Sequence, residues 1–158
     1  MGRTQSVAPA GLFDRMRHEA PSIESADDYR NAVLLDLQDL LGTIRRWTPV
    51  ELAEFPEVNR SVVNFGVAPI TGRIVSRDTA NELAREVRAC ILQFDPRFDP
   101  ASFEVRPILD SQRTPLDALT IELEGNLRGL PKPVPFFVRV AADLDSGLFV
   151  LIPETAAA

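Results

Sequence analysis

Two periodicities divide the chain. From Asp78 to Phe94 apolar residues recur every three or four positions. Leu83, Val87, Cys90, Ile91 and Phe94 fall on one helical face, with Arg85, Glu86, Arg88 and Gln93 largely opposite. This predicts an amphipathic helix opened by Asp78 or Thr79, where Thr79 and Glu82 have capping-box spacing. Glu82 and Arg85 can pair one turn apart. Pro96 ends the helix, because its ring disfavours helical geometry at Asp95. After the Asp95-Pro96-Arg97 corner the period drops to two. Phe103, Val105 and Leu109 share one strand face and Glu104 and Arg106 the other. Pro107 in that run predicts an edge position or a strand end.

An earlier helix is predicted from about Asp28 to Arg46, capped by Ser25 or Asp27. Tyr29, Val33, Leu37, Leu40, Leu41 and Ile44 form its stripe, and Arg45 and Arg46 suit the negative end of its dipole. Gly42 weakens its last turn. Between the two helices, Glu57–Phe65 reads as a short helix carrying Val58, Val62 and Phe65, stopped at Gly66. Thr71-Gly72 reads as a turn. Beyond Leu109, Leu119, Ile121 and Leu123 alternate with polar residues, Phe136, Val138 and Val140 alternate with Phe137 and Arg139, and Leu148–Ile152 reads as a last strand. Gly125-Asn126 and prolines 131, 133 and 135 mark the first connection, and Asp145-Ser146-Gly147 a tight hairpin. The fold class is α+β: N-terminal helices packed on a three- to four-stranded, mainly antiparallel C-terminal sheet. An exposed last strand would be a place for another chain to add a strand.

Length and composition narrow the picture. The 158 residues suit one domain with a real core. Residues 1–10, small and polar, read as a disordered N-terminus, and 11–158 as a single domain. Leu12, Phe13 and Met16 can line one side of a short helix, either a frayed terminal turn or a segment that docks on a partner. A net charge of −6, with basic residues scattered apart from Arg45-Arg46, disfavours nucleic-acid binding. One cysteine excludes an internal disulfide and fits a reducing, cytoplasmic setting. No apolar run is long enough to span a bilayer, and the first residues lack a signal-peptide core.

Catalytic constellations are not evident. The chain has no Gly-rich phosphate loop, no HExxH and no CxxC. His18 stands alone and reads as a surface residue, and Cys90 sits on an apolar helix face as a small core residue. The 23 acidic residues permit a carboxylate pair for glycoside hydrolysis on paper. Asp95 and Asp99 flank Arg97, which favours an ion pair over a metal site. No enzyme activity, cofactor or metal is expected.

Four segments together resemble one family. LFDRM (Leu12–Met16), VLLDLQDLLGTIRRW (Val33–Trp47), SVVNFGVAPITG (Ser61–Gly72) and ILQFDPRFDPASFEVRP (Ile91–Pro107) are similar, in order and spacing, to motifs of the TssE baseplate subunits of type VI secretion systems. These belong with the baseplate wedge proteins of contractile phage tails. Asp95 stands where that family usually has glutamate in a Glu-Pro-Arg corner, and Phe65 where it has tyrosine.

The resemblance implies a structural protein that joins the baseplate wedge to the contractile sheath and helps initiate sheath assembly by strand pairing. It implies TssF, TssG and TssK as wedge partners and TssB and TssC as sheath partners. The implied location is the cytoplasmic baseplate docked at the inner membrane complex. No direct membrane insertion is expected. Asp95, Pro96 and Arg97 take the family's wedge-contact role, and Leu12, Phe13 and Arg15 that of the N-terminal motif. Arg97 can equally pair within its own chain, tying helix to sheet. The alternatives are a peptidoglycan-cleaving hydrolase, as the wider group's lysozyme-like label suggests, or the equivalent protein of a phage tail or tailocin.

Overall fold

The computed structural model describes residues 25–108 and 118–152. The first helix, α1 (Ala26–Leu41), opens on a reciprocal capping box. The Ser25 hydroxyl accepts from the Asp28 N–H at 3.1 Å, and the Asp28 carboxylate accepts from the Ser25 N–H at 3.0 Å. It buries Tyr29, Val33, Leu37, Leu40 and Leu41. The helix stops at Leu41, short of the Arg46 end expected from the sequence. Gly42 closes it by donating to the Gln38 carbonyl. The next residues find extended partners instead: Val67 donates to the Thr43 carbonyl at 2.8 Å, and Arg45 donates to the Val67 carbonyl at 2.9 Å. Ile44 therefore leaves the expected stripe and is 54% exposed. Arg45 and Arg46 lie beyond the helix rather than in its last turn.

The expected Glu57–Phe65 helix is broken in two. A single turn, α2 (Pro56–Asn59), is followed by a 3₁₀ turn at Val62–Asn64. Ser61 causes the break, because its hydroxyl donates to the Val58 carbonyl and accepts from the Val63 N–H. Val58 and Val62 consequently face outward, and of the three expected stripe residues only Phe65 joins the core. Its ring meets Phe94 edge-on, with centroids 5.2 Å apart. Gly66 follows with φ +116°, a conformation that side chains rarely adopt. A Cβ there would lie 2.3 Å from the Thr43 carbonyl oxygen.

The long helix, α3 (Arg77–Phe94), matches its predicted period and buries Leu83, Val87, Cys90 and Ile91. Its cap is Ser76, whose hydroxyl accepts from the Thr79 N–H at 3.1 Å. The sequence-based start at Asp78 or Thr79 is two or three positions late, because Thr79 serves as the receiving residue of a cap rather than as the cap itself. Arg85 turns back to the Asn81 carbonyl instead of reaching Glu82.

The sheet is a four-stranded antiparallel meander in the order β1 (Glu104–Ile108), β2 (Ala118–Leu127), β3 (Val134–Asp143), β4 (Phe149–Ile152). Pro107 sits in β1, an edge strand, as its sequence position requires. Leu109 lies outside the described residues. On one sheet face, rows such as Val105, Leu123 and Val138, and Pro107, Ile121, Val140 and Leu151, turn toward the helices. There α1 packs against β3 and β4, and α3 against β1. The other face carries Arg106, Glu122, Arg139 and Ile152 in one register row. Gly125, Asn126 and Pro135, expected in a connection, instead lie inside the paired strands β2 and β3; Gly125 occupies the inner face of β2, where a Cβ would stand 2.9 Å from the Phe103 Cα. This close approach lets Phe98, Phe103 and Phe136 form an aromatic cluster, with centroid separations of 4.6 and 5.2 Å.

Gly66→Ala combines strained backbone with a main-chain clash. It is expected to cost about 2–4 kcal/mol of stability, read as a lower denaturant midpoint with an unchanged slope. An unchanged midpoint would mean that Gly66 and Thr43 do not approach as described.

Candidate partner-binding site

The Asp95-Pro96-Arg97 corner follows directly from the end of α3. Asp95 is the helix C-cap, with φ −122° and ψ 96°, the extended geometry imposed by a following proline. Its N–H donates to the Ile91 carbonyl at 2.8 Å. Its carboxylate is turned inward and receives three donors from Arg97: the main-chain N–H at 3.0 Å, Nε–H at 2.8 Å and Nη2–H at 2.7 Å. The same Nη2 also reaches the carboxylate of Asp36, on α1, at 2.7 Å. One guanidinium therefore bridges the end of α3 to the middle of α1. Burial opposes the Arg97 charge, but hydrogen bonds to Asp95 and the charges of Asp95 and Asp36 outweigh it and hold the group above its ordinary range.

The corner is fastened on its far side as well. The Arg97 carbonyl accepts from the Arg128 N–H at 2.7 Å, and Asp99 donates its N–H to the Asn126 carbonyl at 3.0 Å. The Asp99 carboxylate pairs with the Arg128 guanidinium. The Tyr29 hydroxyl, from α1, donates to the Arg128 carbonyl. Phe98 is buried between these ties, bridging to Leu127. From α3, Arg88 donates to the Phe103 and Pro100 carbonyls at 2.9 and 3.0 Å. Hydrogen bonding to Arg128 holds the Asp99 carboxyl below its usual range.

Of the residues singled out by sequence, Asp95, Pro96 and Arg97 form this corner together. Pro96 is exposed, Asp95 is buried, and the Arg97 side chain keeps 26% exposure. Arg97 thus makes its bidentate bond within its own chain. Leu12, Phe13 and Arg15 lie outside the described residues. Sequence reasoning named Tyr29 only as a helix-stripe residue and did not single out Asp36 or Arg128, and these three are the partners that make the corner a junction. Asp36 and Arg97 are far apart in sequence, and only the packing of α1 against the corner unites them. Cys90 is buried as expected: its thiol donates to the Gly66 carbonyl at 3.1 Å, and burial pushes it up to about 11.

Where a shift is resolved, at Glu51, Asp99 and Asp143, local hydrogen bonds move the carboxyl downward, opposite to the need of a general acid. No group of three metal-ligating side chains is found among the described residues. Among those residues no helix is long and apolar enough to cross a membrane.

The family model described as baseplate wedge protein gp25 matches residues 27–132, from α1 through the loop after β2. No curated protein matches the chain.

Removing the Arg97 side chain leaves the buried Asp95 carboxylate with no opposite charge and only the main-chain N–H of residue 97 as a donor. Arg97→Ala is expected to cost about 2–3 kcal/mol, and Asp36→Asn, at an exposed position, under about 1 kcal/mol. Chemical denaturation of both variants checks the ranking, and an equal loss would sink it. At pH 8, about one thiol in a thousand is ionised for a group at about 11, against about a quarter of ordinary thiols. Iodoacetamide should label Cys90 at least ~100-fold more slowly in native protein than in unfolded chain. Comparable rates would show that the thiol is open and ionised.

Proposed function

The chain belongs to the family of baseplate wedge protein gp25, and on that premise we propose that it is the TssE-type subunit of a type VI secretion baseplate. Family membership carries a structural role in a phage-tail-like baseplate. The finer reading is that the protein joins the wedge proteins TssF, TssG and TssK to the sheath proteins TssB and TssC. It starts the sheath by offering a strand for pairing, and does so in the cytoplasm, on a baseplate docked at the inner membrane complex.

The observation that carries this reading is β4. It is the last strand of the meander, four residues long, with β3 as its only strand neighbour among the described residues. Phe149 and Leu151 pack on the core while Val150 is 57% exposed. A short, apolar, proline-free edge strand is a template on which another chain can continue the ladder. The rigid corner supports the other half of the reading. Its Arg97 retains an exposed side beside the exposed Asp36 and Pro96, so a wedge partner can meet a charged surface already fixed in place. The Leu12–Met16 motif favours secretion over a phage tail, by its resemblance to the TssE N-terminus. Work as a scaffold, not hydrolysis, also fits carboxylates that arginines already neutralise at the corner.

Co-expression with TssF and TssG, followed by affinity purification and size-exclusion chromatography, tests the wedge role. Wild type and Val150→Pro should both enter the complex. Only wild type should then seed polymerisation of purified TssB–TssC, because proline at 150 removes the N–H that ties β4 to Ala141 of β3 and so dismantles the edge. A well-folded wild type that binds neither wedge protein would defeat the proposal. So would peptidoglycan turnover that a single carboxylate substitution abolishes.

A further inference from the structure

The main-chain groups of β4 divide into two sets. Asp143 donates its N–H to the Leu148 carbonyl, and from there the register pairs Ala142 with Phe149, Ala141 with Val150, Val140 with Leu151 and Arg139 with Ile152. Hydrogen-bonded pairs alternate along an antiparallel ladder. The strand is therefore bound to β3 through Leu148, Val150 and Ile152. The N–H and C=O groups of Phe149 and Leu151 point the other way, off the edge of the sheet, where no further strand pairs among the described residues.

The side chains alternate in the same way. Phe149 and Leu151 pack on the core. Leu148, Val150 and Ile152 take the opposite face and are 56%, 57% and 36% exposed. Both ends of the edge are set by the sequence. Gly147 has φ +74°, which takes the chain out of extended geometry. Residue 153 is proline and brings no N–H.

These limits leave one register in which the edge fits an antiparallel copy of itself. With the pairing centred on Val150, Phe149 stands opposite Leu151 of the second copy, and Leu151 opposite Phe149. All four residues have outward N–H and C=O groups, so both pairs are hydrogen-bonded. Centred on Phe149, the pairing would set Leu151 against Gly147, which is not extended. Centred on Leu151, it would set Phe149 against Pro153, which has no donor. The register centred on Val150 also places Val150 opposite Val150 and Leu148 opposite Ile152. The three exposed aliphatic residues then cover one another, and Phe149 and Leu151 carry the core row across the join.

We propose that β4 pairs with β4 of a second copy of this chain, about a two-fold axis at Val150, so that two four-stranded meanders form one continuous antiparallel sheet. A two-fold pairing is closed, so it uses up the edge instead of propagating it. Two four-residue strands make a contact much smaller than that of a permanent dimer, and the pair is accordingly weak and exchanging. The groups involved are those that a foreign strand would need. Self-pairing therefore keeps the edge covered until such a strand displaces the second copy. The dimer requires only the β4 edge, and it stands or falls apart from the secretion reading.

Sedimentation equilibrium of the full-length chain, from micromolar to millimolar concentration, should show monomer and dimer and nothing larger. Val150→Lys and Val150→Glu each set like charges directly opposite one another, and each should weaken self-association at least about fivefold at the wild-type denaturant midpoint. An equimolar mixture of the two variants should recover it, because Lys then faces Glu. Val150→Cys supplies a second readout. The Cα atoms of a non-hydrogen-bonded pair lie within disulfide reach, so oxidised glutathione should cross-link this variant into dimers. Arg139→Cys, on the same face of β3, should stay uncross-linked, and the buried Cys90 serves as neither partner. A chain that is monomeric throughout, a dimer that Val150→Lys leaves intact, or equal cross-linking at 150 and 139 overturns the proposal. Growth beyond the dimer overturns the two-fold closure. A monomer that still enters the wedge complex overturns the dimer alone and leaves the secretion reading in place.

Discussion

The architecture depends on one guanidinium shared between two carboxylates. Arg97 holds Asp95 through a two-pronged contact and Asp36 through the same nitrogen. It thereby fixes where α3 ends relative to α1, two elements that otherwise meet only through the core. The buried carboxylate of Asp95 is costly alone, and the partly buried Arg97 must be in place beside it for the corner to exist. The Phe98 ring beneath it and the Arg128 main chain beside it complete a joint between both helices and the end of β2. Proline at 96 reduces the ways the joint can be made, since it removes the helical alternative for Asp95.

Much of the fold was legible because period and burial coincide. The period-two runs at Leu119–Leu123 and Phe136–Val140 became β2 and β3, and the α3 stripe became a buried face. The failures share a cause. At Ile44, Ser61 and Ser76, hydroxyl or main-chain hydrogen bonds settled the local structure, while the apolar pattern pointed elsewhere. Ile44 fits the α1 period, yet Val67 captures the backbone on both sides of it. Thr79 and Glu82 have the right spacing for a cap, but Ser76 takes Thr79 as its own receiving residue. The corner motif was visible as a motif. An ion pair of Arg97 within its own chain was among the expected readings, and Asp95 supplies it; that Asp36 joins it was not legible, because Asp36 becomes its neighbour only after α1 has packed. A resemblance between families preserves such motifs without saying which way they face.

The two helices cover one side of the sheet and leave the other to a register of alternating charge, Arg106, Glu122 and Arg139. Arg139 pairs with Glu122 and Arg106 with Glu104. A face laced in this way is well solvated and offers little apolar area. The exposed apolar residues of the sheet are confined to its β4 end, at Val150 and Ile152, and most others lie along residues 50–63 and at Ile74 and Val75. A scaffold protein needs this separation: surfaces that hold partners must not compete with those that keep the subunit in solution.

The placement of proline in the sheet has a consequence for how copies of the chain can meet. Repeated head-to-tail stacking would require β4 of one copy to pair with β1 of the next, an open-ended arrangement that grows into a fibre. The β1 edge carries Pro107, which offers no N–H, so it is a poor acceptor of that strand. β4 spans only Arg139–Ala142 of β3, and the stretch of β3 it leaves uncovered contains Pro135, whose carbonyl is already taken by Arg30. The two edges of the sheet are thus unequal: β4 can extend the ladder, whereas β1 resists a further strand, so the chain does not repeat itself head to tail.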